Sequence, residues 1–252
     1  MQKVGKSSLG LYFGIELEVE YEDGYDVEKL RQVVRKDFKD YMYDVGYDGS
    51  IRNGIEYRFN PMTYSTLQRT TFLDKFCKCI DSHGATSYDN PRCGMHVHVS
   101  REAFEPLHAK KYWQFFYRNP NFIKFVSRRR YDDLKQWANP RAFTAEQWES
   151  MAKDSDGFPR YNHNKYQAIN IHSRHPTMEV RIFRGTLSPS GIRGNIQFLH
   201  SLYYFTKHHG QDNCELDTYL DWLSKQSEYT GANRLCNIER IAHKRKGHTK
   251  CA

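Results

Sequence analysis

Four short stretches of the chain carry acids, histidines and arginines at every second position. In Leu11–Glu20, Glu16, Glu18 and Glu20 alternate with Ile15, Leu17 and Val19; in Ile55–Phe59, Glu56 and Arg58 alternate with Ile55, Tyr57 and Phe59. In Met95–Ser100, His96, His98 and Ser100 alternate with Met95, Val97 and Val99; in Thr177–Phe183, Glu179 and Arg181 alternate with Met178, Val180 and Ile182. Successive strand side chains point to opposite faces, so each stretch reads as a strand that buries one side and offers carboxylate, imidazole or guanidinium on the other. If those polar faces converge, they line a cleft suited to divalent cations and an anionic ligand. Periodicity alone names no reaction.

Two glutamates on one strand face, as Glu16 and Glu18 are, lie roughly 7 Å apart and can flank one ion or bridge two. Left unpaired they would raise each other's pKa, so a cation is their natural partner. Glu56 and Glu179 bring the set to four carboxylates, an oxygen-rich cluster suited to Mg2+ or Mn2+ and compatible with one imidazole. Each stretch alone also reads as a solvent-facing strand with ordinary acids. Four in one chain favour a shared site, since a fully polar face taken from water needs a partner. His96 and His98 share a face, and a same-face pair after a glycine-containing loop reads as a ligand pair. Arg181 suits bidentate binding of phosphate or carboxylate, or an ion pair with a neighbouring glutamate. Arg58, Arg184, Lys165 and Arg160 are further phosphate candidates. There is no G-x-x-x-x-G-K-S/T loop, no G-x-G-x-x-G and no G-x-S-x-G, so any nucleotide is held through metal ions and arginines, and a covalent nucleophile is not indicated.

These residues need elements to carry them. A helix is expected over about 26–39, capped by Asp26, with Val27, Leu30, Val33, Val34 and Phe38 on one side. Residues 44–51 read as a strand end with a turn. A second helix is expected over about 65–82 with Gly84 as its C-cap, and a third over 106–118, broken at Asn119-Pro120 and followed by a short one to about 129. Residues 145–153 read as helix and 154–164 as loop. Strands follow at about 166–172 and 177–185, then helices at 192–208 and 216–225. The mixture predicts one α+β domain: a curved, mostly antiparallel sheet forming an open active-site channel, with helices on the outer face. Its motif core is 11–187, followed by a helical part, 189–240, and a basic tail, 241–252.

The 252 residues suffice for a real core, and 18 tyrosines and 15 phenylalanines argue against disorder. No apolar run approaches the roughly 18 residues of a membrane span, and the first residues lack the apolar stretch of a signal peptide, so a soluble cytoplasmic protein without a membrane partner is expected. The six cysteines show no C-x-x-C or zinc spacing and read as reduced thiols. The net charge of +8 draws on Arg128–Arg130 and on the tail His243–Lys250; such patches can bind polyanions, although a solvated tail is the plainer reading of the second.

In order and wording, the motifs FGIELEVE (Phe13–Glu20), DGSI (Asp48–Ile51) with GIEYRFNP (Gly54–Pro61), CGMHVHVS (Cys93–Ser100), and KYQAINI with TMEVRIFRGTL (Lys165–Ile171 and Thr177–Leu187) resemble the carboxylate–amine ligase superfamily. Its best-known member is glutamine synthetase, and within it the resemblance is to the amidoligase group. The resemblance implies a glutamine synthetase-like catalytic fold, ATP, two or more Mg2+ or Mn2+ ions, and amide formation. It implies that Glu16 and Glu18 are paired metal-binding acids, Glu56 a further ligand, His96 the metal-ligating histidine, and Glu179 the acid completing the second metal. His98 would lie near phosphate or substrate, and Arg181 would be a substrate or phosphate arginine; these two are the catalytic candidates. Arg181, Arg184, Lys165, Asn170 and Arg58 would face the nucleotide. Glu20 and Ser100 become bystanders. The chain departs from the pattern at Tyr57-Arg58-Phe59-Asn60, which puts an extra charge on that wall. It is also too short for the separate N-terminal domain of glutamine synthetase, so ring assembly and the ammonia site do not carry over.

The implied reaction has a substrate carboxylate attack the γ-phosphoryl group, giving an acyl phosphate and ADP, after which an amine displaces phosphate. The carboxylate and amine remain unidentified; a peptide, a protein or a modified nucleic acid could supply either. A cupin-like metal site is one rival, since His96, His98 and Glu102 fit H-x-H-x-x-x-E, although the glycine expected beyond is absent. A basic nucleic-acid-binding or nuclease domain is another, without a visible recognition motif. A degenerate ligase fold kept for binding is a third.

Overall fold

The computed structural model describes residues 1–140, 165–171, 175–211 and 214–236. Arg160, the helix and loop expected over 145–164, and the basic tail lie outside these residues. Six strands form one sheet: β1 (Phe13–Glu20), β2 (Met42–Asp48), β3 (Gly54–Phe59), β4 (Gly94–Ser100), β5 (Ile169–Asn170) and β6 (Thr177–Arg184). Their order is β2-β3-β1-β4-β6-β5, and every pairing is antiparallel. The helices among the described residues are α1 (Val27–Asp37), α2 (Tyr64–Arg69), α3 (Phe72–Asp81), α4 (Pro106–Arg118), α5 (Pro120–Ser127), α6 (Tyr131–Trp137), α7 (Pro189–His208), α8 (Leu216–Ser224) and α9 (Thr230–Leu235). The fold is α+β, as the sequence predicts.

The alternating stretches behave as alternation demands. Ile15, Leu17, Val19, Ile55, Tyr57, Met95, Val97, Val99, Met178, Val180 and Ile182 are each at most 1% exposed. Helices α3 and α7 cover this apolar face. Phe76 of α3 meets the rings of Phe59 and Tyr57 at 4.9 and 5.1 Å, and Phe198 of α7 meets Phe183 at 6.3 Å. Burying each such side chain stabilises the fold by about 1.5–3 kcal/mol. A one-residue slip of β1 would exchange Ile15, Leu17 and Val19 for Glu16 and Glu18, so hydrophobic burial fixes the register and with it the position of every acid.

Several elements differ from expectation. The helix expected over 65–82 is two, because Thr70 turns extended (φ −79°, ψ 149°) and its hydroxyl binds the Thr66 carbonyl at 2.7 Å. A threonine hydroxyl that competes for backbone groups is a common reason for such a stop. β2 is a full strand of seven residues despite its Asp and Gly content, because pairing with β3 overrides weak propensity. The strand expected over 166–172 keeps only Ile169 and Asn170 among the described residues, α6 lies outside the elements expected from sequence, and α9 falls in the helical part expected over 189–240. Among the described residues, no helix is long and apolar enough to cross a membrane.

Candidate active site

Register decides which polar residues meet. On the face away from α3 and α7, Glu16 lies beside Arg58 on one side and His96 on the other, Glu18 lies beside Glu56, and His98 lies beside Glu179. β5 adds Asn170 beside Glu179, whose Oε2 accepts from Asn170 Nδ2 at 2.7 Å. A β-bulge shapes the far side. Met95 pairs with Phe183 but Val97 with Val180, so His96 faces both Arg181 and Ile182. The extra residue shifts the alternation, so that Phe183 joins the core while Arg184, opposite Gly94, stays on the polar face.

The side chains converge on Glu16. Its Oε1 lies 3.2 Å from His98 Nε2 and 3.9 Å from Arg58 Nε, and its Oε2 lies 3.5 Å from His96 Nδ1. Glu179 Oε1 lies 3.6 Å from His96 Nδ1 and is ion-paired with Arg181. Arg58 bridges Glu56 and Asp44. Two sets of donor atoms, Glu16–Glu56–His96 and Glu16–His98–Glu179, each lie within 4.8 Å of one another. Glu16 therefore belongs to both. Glu18 belongs to neither: its Oε2 accepts the Gly94 N–H at 2.6 Å, and its Oε1 lies 3.7 Å from His96 Nε2.

Charge is unevenly held. Burial acts to raise the Glu16 pKa, but hydrogen bonds and positive charge from His96 and His98 outweigh it and hold the carboxyl low. Burial, then the negative charge of Glu16, pushes Glu56 up to about 8. Burial lowers His98, but its contact with Glu16 prevails and raises it. Glu179 is lowered on balance, since His96 and Arg181 outweigh its burial. Two acids so close that one keeps its proton past neutrality make a poor anion cluster and a good cation site. Buried carboxylates with one imidazole per set fit hard divalent ions such as Mg2+ or Mn2+.

Two cavities flank the cluster. One, about 210 Å3, is lined by Glu18, Asp48, Glu56, His96, Lys165 and Arg181 together with Arg92, Arg129 and Trp137. The other, about 340 Å3, is bordered by Glu16 and His98 and walled largely by apolar and aromatic residues. Of the sequence candidates, Glu16, Glu18, Glu56, His96, His98, Glu179, Arg181, Asn170 and Arg58 share the polar face, and Lys165 reaches the basic cavity. Arg184 does not reach either. It stacks over Tyr88 at 3.7 Å and lines a third cavity, of about 260 Å3, with Arg129, Arg130 and Asp133. Ser100 is structural, accepting from Tyr12 N at 2.8 Å and donating to the Gly10 carbonyl at 2.6 Å, while Glu20 is bound by Asn90 away from the cluster. Glu102, the third residue of the cupin-like pattern, pairs with Lys3 and belongs to neither donor set.

Arg129 is the residue that sequence reasoning missed. The run Arg128–Arg130 was legible only as charge. Arg128 caps α5 in the left-handed region (φ 57°), which turns the chain so that Arg129 points inward while its neighbours do not follow. Arg129 is 7% exposed, donates from Nε to the Phe183 carbonyl at 3.1 Å, and its burial lowers its pKa against the pull of Glu18. A Cβ on Gly94 would overlap this guanidinium, so glycine there makes the room.

Fold and site together define an α+β protein with a buried acid–histidine cluster flanked by arginines. The family model described as "putative amidoligase enzyme" matches residues 60–203, more than half of the 252-residue chain, and the chain belongs to that ligase family. The match takes in His96, His98, Glu179 and Arg181 and begins after Glu16, Glu18 and Glu56. No curated protein matches the chain.

Proposed function

We propose that this chain is one catalytic unit that uses ATP and Mg2+ or Mn2+ to join a carboxylate to an amine through an acyl phosphate. The observation that carries this reading is the sharing of Glu16 between two donor sets, with Arg181, Arg129 and Lys165 gathered around the adjoining cavity. Divalent ions bound by these sets would neutralise a polyphosphate and make its terminal phosphoryl group more electrophilic. The chain's own part is positional. Glu16, Glu56 and His96 form one set of ligands, and Glu16, His98 and Glu179 the other. Asn170 and Arg181 hold Glu179 in place, and Arg58 holds Glu56. The Arg181 and Arg129 guanidinium groups, both largely withdrawn from water, offer fork-shaped contacts to phosphate oxygens, stronger than an exposed pair would make. Arg184 is removed from this role by its stacking on Tyr88.

The test is ADP release by the purified chain with ATP and Mn2+, using hydroxylamine as a small amine and a panel of carboxylates, with the hydroxamate product read by colour. A Glu16→Ala, Glu18→Ala double variant is expected to lose the activity. Undiminished ADP release and hydroxamate formation in that variant would refute the assignment.

A further inference from the structure

The two donor sets open on different cavities. Glu56 and His96 of one set line the basic cavity, whereas Glu16 and His98 of the other line the apolar one, whose 340 Å3 is within the range of small-ligand sites. The apolar walls include Tyr12, Ile15, Tyr43, Phe59, Pro61 and Pro176. Exposure gives this cavity its direction. The His98 and Glu16 side chains are 12% and 15% exposed, against 50% and 54% for Lys3 and Glu102, so the donors stand at the inner end and that ion pair at the mouth. His98 Nδ1 meets the Thr177 hydroxyl at 2.9 Å, which turns Nε2 toward Glu16 as the ligand atom. Each set supplies three protein donors, and a hard divalent ion takes about six, so there is room for ligand oxygens at this end. Two such ions bring four positive charges against the three carboxylates of the sets, Glu16, Glu56 and Glu179, which leaves the loaded centre positive by one. Glu18, outside both sets, faces the charge of Arg129. Gly14 makes the space in the cavity. It stands on β1 two residues before Glu16, on the same face and opposite His98, where any side chain would project inward.

We infer that the apolar cavity binds a carboxylate carried on an uncharged apolar stem, as in an alkanoate or arylalkanoate, with the carboxylate at the Glu16–His98 end and the stem among the aromatic and proline walls. This rests on the ligase reading and names the class of its acyl substrate. The positive excess at the inner end attracts a carboxylate and opposes an ammonium, and the walls match methylenes and rings. An acidic amino acid held by its side-chain carboxylate would leave two further charges among apolar walls. Lys3 and Glu102 pair with each other, and Lys3 lies over the Tyr12 ring at 4.8 Å, so neither stands ready to receive them. In the reaction a carboxylate oxygen forms a bond to the terminal phosphorus as the bond from that phosphorus to the bridging oxygen breaks. ADP leaves with the electron pair of the broken bond, no proton moves, and the acyl phosphate keeps its stem in the apolar cavity. The phosphate donor then belongs to the basic cavity with Arg129 and Arg181, across the cluster from the acceptor.

The experiment is calorimetric titration of the Mg2+-loaded full chain with acetate, propanoate and pentanoate, with pentylamine as the opposite charge and glutamate as the charged stem. Affinity is expected to rise about fourfold per added methylene. Pentylamine and glutamate are expected to bind more weakly than pentanoate, and pentanoate binding is expected to be lost in EDTA, where Glu16 meets the ligand without an ion. N-acetylphenylalanine binding tighter than phenylpropanoate would assign the source to a polypeptide C-terminus, and weaker binding to a free acid. Gly14→Leu is expected to weaken pentanoate binding by about tenfold or more, as the loss of two methylene contacts would. Its Cβ would lie 3.4 Å from His98 Cβ, an ordinary contact, which leaves the rest of the side chain to fill the cavity. A second measurement needs no variant: in the Mn2+-loaded chain, the pentanoate methylene beside the carboxylate should relax faster in proton NMR than the terminal methyl. Affinity independent of stem length, tighter binding of pentylamine or glutamate than of pentanoate, pentanoate binding undiminished in EDTA, or equal relaxation at both ends would overturn the inference. None of these readouts needs ATP turnover. Pentanoate binding with these trends but without ADP release for any carboxylate would count against the ligase reading alone, and hydroxamate formation that favours glutamate over pentanoate against this inference alone.

Discussion

Replacing Glu56 by glutamine should stabilise the metal-free protein at neutral pH and leave it unchanged in acid. Burial, then the charge of Glu16, raises the Glu56 pKa from 4.5 to about 8. Between those values the folded chain holds a proton that the unfolded chain releases. Stability therefore falls as pH rises from about 4.5 to 8. At pH 7 the unfolded carboxyl is ionised and the folded one still mostly protonated, so the wild type forfeits about 3 kcal/mol. Glutamine keeps the volume and an oxygen for Arg58 but has no proton to hold. For a chain of this size 1 kcal/mol moves Tm by about 2–4 °C, so Glu56→Gln should raise Tm by about 6–12 °C at pH 7 in EDTA. At pH 4.5 the two proteins should melt together. Scanning calorimetry at both pH values decides the matter. A glutamine variant that melts lower at pH 7, or differs from wild type equally at the two pH values, would refute the claim that Glu16 and Glu56 crowd one another.

Three further outcomes follow from the same geometry. Glu16→Gln should weaken Mn2+ binding at both donor sets, whereas Glu56→Gln and Glu179→Gln should each spare one; equilibrium dialysis reads this as the number of ions held, and equal losses in all three would contradict the shared role of Glu16. Gly94→Ala should cost about 1–3 kcal/mol in urea unfolding, because its methyl displaces the buried Arg129 guanidinium; a loss within error would show that the arginine moves freely. Burial holds His200 down to about 3 and His108 down to about 4, so below pH 6.5 the unfolded chain takes up protons that the fold refuses. Stability should fall as pH drops from about 6.5 towards 4, by up to about 1.4 kcal/mol per unit for each histidine, and a His200→Gln, His108→Gln double variant should show a flatter profile.

The site-bearing strands were legible because each obeys period two against a buried face, and α4 was legible to the residue because Pro106 opens it and Asn119-Pro120 closes it. The meeting of four polar faces followed from the order of the motifs. The pairing within the site did not. Glu16 and Glu18 look equivalent in sequence, yet the cross-strand register gives one to both donor sets and turns the other toward a backbone N–H. His98, expected near substrate, joins a donor set through Glu16 and Glu179. Arg184 looked like a phosphate residue, but stacking on the Tyr88 ring holds it at another cavity. Arg129 depends on one left-handed residue at Arg128, a conformation that an arginine run does not announce. Such features arise from contacts between distant segments, and local periodicity carries no record of them.

The placement of two cavities on either side of Glu16 bears on the order in which substrates arrive. Exposed residues stand at the rim of each, Arg92 and Lys165 at one and Lys3 and Glu102 at the other. The two linings share no residue. If the proposed nucleotide takes the basic cavity and its co-substrate the apolar one, the two need not queue, and steady-state kinetics should show sequential, random addition with intersecting double-reciprocal lines. Parallel lines would mean that the second ligand enters only after the first product has left, which this arrangement does not require.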